Sequence, residues 1–167
     1  MTDYPLDTHD FEYDGMQFRF TSYHDPDTWE PWKECDGHGL VSDWTTRSKA
    51  PGEMVLNADG HSKRYYDFQG AVRIARHDGW NTEPYNWPTP GAQAHAAAMA
   101  DFEHLRGWCN DEWCWIYIKV ELLDDFGDVI PDTAEYLGGI ESGGNWWREE
   151  CAQELAAEIV YNLEAAA

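Results

Sequence analysis

The stretch from Glu112 to Leu123 constrains the fold most. Cys114, Ile116, Ile118, Val120 and Leu122 alternate strictly with Trp113, Trp115, Tyr117, Lys119 and Glu121. A period of two places one set on each face of a β-strand. One face is fully apolar and the other mixed, so the strand needs antiparallel neighbours and one apolar layer to cover it. Asp124–Asp128 reads as a turn, and Thr133–Ile140 as the returning partner. Near the start, Phe11–Tyr13 and Met16–Phe20 alternate around Asp14-Gly15, the pair that favours a two-residue hairpin turn.

Helical spacing appears three times. Tyr65, Phe68, Val72 and Ala75 predict a helix over 62–78, with Ser62 as cap and Gly79 as terminator. Met99, Phe102 and Leu105 or Arg106 predict a second over 91–109. Leu155, Ile159 and Leu163, with Cys151 or Ala152 leading in, predict a third over 145–164, capped by Ser142 or Asn145. Residues 24–62, rich in Pro, Gly and Asp, predict a long irregular loop region held by Trp29, Trp32 and Trp44. The three alanines at 165–167 predict a disordered tail. The order of elements predicts a single α+β domain over residues 1–167, with about three helices on one face of an antiparallel sheet.

Charge narrows the function classes. The 167 residues hold 32 acidic and 11 basic side chains, a net charge of −21. Such a chain repels DNA, RNA and anionic membrane faces, so no direct nucleic acid or membrane partner is expected. Ten Trp and an aromatic content of 15% argue against a disordered acidic chain. The charge is uneven: residues 1–50 carry −7, residues 51–100 carry −1 and residues 101–167 carry −13. A solvated coat that aids solubility would have no need of that asymmetry. Met1–Asp7 lacks the basic and apolar regions of a signal peptide, and no run approaches a membrane span, so a cytoplasmic location is expected. The cysteines, Cys35, Cys109, Cys114 and Cys151, are then expected as thiols.

No catalytic motif is present. There is no phosphate-binding loop, dinucleotide fingerprint, nucleophile elbow or paired-histidine zinc helix, so no enzyme and no cofactor are expected. Cys35-x-x-His38 is a candidate metal pair, but a closed zinc site needs a second pair at tighter spacing than Cys109 and Cys114 offer. The remaining candidates are surface residues. Glu150, Glu154 and Glu158 recur every four residues and share one helix face. With Glu141, Asp124, Asp125 and Asp128 they are the expected binding residues, standing where DNA would present phosphates. Trp113 and Trp115, on the mixed strand face, are the candidate aromatic anchors.

Leu105–Trp113 (LRGWCNDEW) resembles a segment of a group of small acidic bacteriophage proteins. Similar pieces are Glu34–Gly39, Tyr65–Gln69, His77–Trp80 and Ile140–Ser142, so the likeness runs from about residue 11 to 160. The resemblance implies an early or accessory phage protein acting in the cytoplasm of an infected bacterium, and it carries over no catalytic residues. In charge and size alone the chain looks like antirestriction and anti-CRISPR proteins that mimic DNA. The expected partner is therefore the basic nucleic-acid-binding surface of a bacterial complex. The alternatives are a structural adaptor docking through its aromatics or pairing with a second copy, and a zinc-stabilised module or small metal-dependent enzyme built on Cys35 and His38.

Overall fold

The computed structural model describes residues 4–144 and 146–167. In chain order the elements are β1 (Asp7–Tyr13), β2 (Met16–His24), α1 (Pro31–Glu34), β3 (Glu53–Asp59), β4 (Ser62–Asp67), α2 (Phe68–Asp78), α3 (Pro90–Cys109), β5 (Trp115–Leu122), β6 (Glu135–Glu141) and α4 (Trp146–Ala166). The chain is α+β. It divides into two compact units, one formed by Met1–Thr28 with Trp113–Ala167, the other by Trp29–Glu112.

The first unit is a four-stranded antiparallel sheet, ordered β1-β2-β5-β6, with α4 on one face. The hairpin forms at Asp14-Gly15, both in the left-handed region at φ 50° and 76°, as the twist of a two-residue turn requires. Phe18 and Phe20 of β2 and Ile116, Ile118, Val120 and Leu122 of β5 bury their side chains against Ala152, Leu155, Ala156 and Ile159 of α4. The alternation of β5 is thus read directly into the core. β6 bulges where Gly138 and Gly139 lie opposite Tyr117. Gly139 takes φ 69°, and its amide donates to Asp25 Oδ2 at 2.8 Å.

The second unit packs the hairpin β3-β4 with α2 and α3 around Leu56, Tyr66, Ala71, Ala98, Phe102 and Leu105. Asp67 caps α2 by accepting from the Gly70 amide at 2.8 Å, and Gly79 ends it at φ 72°. Thr89 caps α3 by accepting from the Ala92 amide.

Several expectations are corrected. Residues 62–67 are strand, not the first turns of a helix: Asp67 takes the cap, so the helical spacing counts only from Phe68. The region 24–62 is less irregular than its composition suggests. It holds α1 and β3, and residues 40–45 run beside β4 through bonds such as Ser42 N–H to Tyr65 O and Thr45 N–H to Lys63 O. Of its tryptophans, Trp32 and Trp44 hold the Arg64 guanidinium between them, at 4.7 and 4.5 Å from the ring centroids, while Trp29 is exposed. The four-stranded sheet carries α4 alone on its covered face, while α2 and α3 belong to the other unit. Ser142 does not cap α4; its Oγ accepts from the Cys114 amide beside β5. Asn145 lies outside the described residues. α4 continues through Ala165 and Ala166, where a disordered tail was expected.

Candidate functional site

The fold sorts the charge. The sheet-and-α4 unit holds 19 acids and three bases, a net of −16, whereas the hairpin unit holds 13 acids and eight bases, a net of −5. Residues far apart in sequence, 1–28 and 113–167, contribute to the same acidic body because β2 pairs with β5.

All three bases of the acidic unit are engaged within it. Arg19 grips Asp10 with Nε at 2.8 Å and Nη2 at 3.0 Å, and Nη2 reaches Gly127 O at 3.4 Å. That hydrogen bond holds the Asp10 carboxyl below the usual range, against the smaller opposing effect of burial. Lys119 Nζ lies 2.6 Å from Glu121 Oε1. Burial disfavours the lysine's charge, but the bond and field of Glu121 outweigh it and the net shift is upward. Arg148 donates to Ser142 O.

The carboxylates expected to bind a partner fall into three places. Glu150, Glu154 and Glu158 are exposed on α4, on the side opposite its buried Ala152, Leu155, Ala156 and Ile159. They stand about 6 Å apart along the axis, and no ion pair engages them among the described residues. Their field reaches Cys151, whose thiol is pushed up first by burial and then by Glu154 and Glu150. The second place is the loop after β5. Asp125 and Asp128 are exposed there, while Asp124 builds the loop: its Oδ1 accepts from the amides of Phe126 and Asp128, both at 2.9 Å. Glu141, the third, is half-buried at the end of β6. Asn162 Nδ2 donates to Glu135 Oε1 at 3.1 Å, so α4 runs back along β6 toward that strand's start. The loop therefore lies at the end of the sheet that α4 approaches, and Glu141 lies at the other end.

Trp113 and Trp115 are not exposed anchors. They are 9% and 7% exposed, and their rings meet edge to face at 5.4 Å. Tyr117, also on the mixed face, is half-buried and stacks on Tyr23 at 5.0 Å. Sequence reasoning passed over Phe126, an aromatic of this unit that is 90% exposed at the loop apex. Its signal was an apolar residue set inside an acidic turn, Asp124-Asp125-Phe126-Gly127-Asp128.

Cys35 and His38 lie in the other unit. His38 Nδ1 sits 2.6 Å from Asp101 Oδ1, and the side chain of Asp101 is 8% exposed. Asp101 Oδ2 accepts from the Gly39 amide at 2.8 Å and from the Tyr66 hydroxyl at 2.6 Å. Burial, reinforced by Asp101, pushes the Tyr66 phenol far above its ordinary range. This buried network fastens the turn at 37–39 to α3. Cys35 is exposed, and Cys109 and Cys114 are half-buried thiols. Among the described residues, no three His, Cys, Asp or Glu side chains converge as a metal site requires. Nor is any helix there long and apolar enough to cross a membrane.

No protein-family model, curated protein or solved structure matches the chain.

Proposed function

We propose that this chain is a non-enzymatic acidic phage protein. It inhibits a host defence complex, of the CRISPR or restriction kind, by placing carboxylates where the complex's basic groove expects phosphates. One observation carries the reading: a net of −16 on one compact unit whose three bases are already engaged, beside a unit at −5. A coat serving solubility alone would gain little from that partition, whereas a basic groove is attracted by a concentrated field and steered toward it. The outward row Glu150, Glu154 and Glu158 and the loop residues Asp125 and Asp128 would make the contacts. Asp124 would act indirectly, by holding that loop. The adaptor reading through Trp113 and Trp115 loses its surface, since both rings are buried.

The test is competition. A labelled DNA duplex is bound to a purified restriction endonuclease or CRISPR effector and the chain is added. Release of DNA is expected at about 50 mM salt and should fade steeply by about 200 mM, as charge-driven binding does. The E150K/E154K/E158K variant should not release it. Release that ignores both salt and charge reversal would refute the mimicry.

A further inference from the structure

We infer that the loop at 124–128 is a docking head. Phe126 enters an apolar socket on the partner, and the cleft beside the loop receives a lysine or arginine side chain of that partner. The inference rests on the reading above and names where its specificity lies.

Two observations carry it. The first is Phe126 itself, 90% exposed, with Val129 also exposed nearby. Charge alone gives no reason to present a large apolar ring to water, and a central aromatic anchor is what fixes the position of an otherwise slippery charged contact. The second is a cleft of about 620 Å³ next to the loop. Its lining joins Met16, Leu123 and Ile130 to Asp10, Asp124 and Asp125. Apolar side chains can take the stem of a lysine or arginine while carboxylates take its head. Asp10 is already held by Arg19 and Asp124 by the loop's own amides, which leaves Asp125 for an incoming cation.

The head is also built in advance. The Gly127 amide donates to Asp124 O at 3.0 Å, Leu123 bridges to Val129, and Arg19 reaches Gly127 O. A loop so held loses little freedom on binding. The occupant is a basic protein surface rather than a second copy of the chain, because a second copy would bring another unit at −16 against Asp125 and Asp128.

Two arginine-rich peptides of equal charge serve as probes, one interspersed with leucine and the other with serine. Binding is followed by fluorescence anisotropy for the full chain and for F126A, D125N and the E150Q/E154Q/E158Q variant. F126A should weaken the leucine peptide by about tenfold or more, the effect of truncating a central anchor, and leave the serine peptide unchanged. D125N should weaken both. If F126A binds both peptides like the unaltered chain, the docking head is refuted, while weakening by the triple variant would still support the charge reading. If neither peptide binds at low salt, the charge reading falls with it. A dimer of the chain that F126A dissolves would assign Phe126 to a second copy and overturn the inference.

Discussion

Replacing Glu150, Glu154 and Glu158 by glutamine separates what the row does for the fold from what it does for a partner. The three are exposed on the outer side of α4 and have no cationic partner among the described residues. Two like-charged pairs at i,i+4 are relieved, each worth about 0.2–0.5 kcal/mol, so the helix should gain about 0.4–1 kcal/mol. Glutamine and glutamate have nearly equal helix propensity, so that term is neutral. Glu150 sits just past the first turn of α4, where the favourable dipole effect has largely faded. The sheet-and-α4 unit would move from −16 to −13. Urea unfolding followed by circular dichroism should therefore show a more stable variant at about 0.01 M salt, and the gap should close near 1 M, where the screening length is about 3 Å. DNA release in the competition assay should be lost over the same substitutions. A variant less stable at low salt would refute the argument, because it would make the row part of the fold's support. A gain unchanged at 1 M would show that charge repulsion is not its source.

Three further outcomes follow from local geometry. D101A strands the donors of His38, Gly39 and Tyr66 and should cost about 3–5 kcal/mol in chemical denaturation, whereas D101N, which keeps an acceptor, should cost less. G70A should destabilise, although alanine normally improves a helix by about 1 kcal/mol: its Cβ would collide with the Asp67 carboxylate that caps α2, and a thermal melt would show the sign. Glu53 titrates at about 2, chiefly because Arg47 hydrogen-bonds its carboxylate. Its contribution to stability is complete above the ordinary value of 4.5 and is lost as pH falls through about 2. An NMR titration should place the Glu53 midpoint there, and R47Q should return it toward 4.5; an unmoved midpoint would exclude Arg47 as the cause.

The parts of this protein that its sequence determined are those in which neighbours along the chain decide the outcome. Asp14-Gly15 had to turn because only a left-handed pair matches the twist of a two-residue hairpin. The alternation of β5 named its own buried face, and the spacing of Leu155 and Ile159 named that of α4. Total charge, and the concentration of acids after residue 100, were equally legible. Local pattern failed where two periods overlap: Tyr65 fits the helical spacing of Phe68 and Val72, yet it belongs to β4, because pairing with β3 and the Asp67 cap outweigh propensity.

Tertiary structure alone decided the rest, since it depends on contacts across long stretches of chain. Pairing Phe18 with Leu122 places residues 1–28 in the same unit as residues 113–167, which turns an uneven charge along the chain into a body at −16. Burial of Trp113 and Trp115 depends on what covers the second face of β5, and a period of two cannot report that. Asp101 and His38 stand 63 positions apart, and no spacing rule links them. Phe126, one apolar letter in an acidic turn, became a candidate anchor only when the fold left its ring in water.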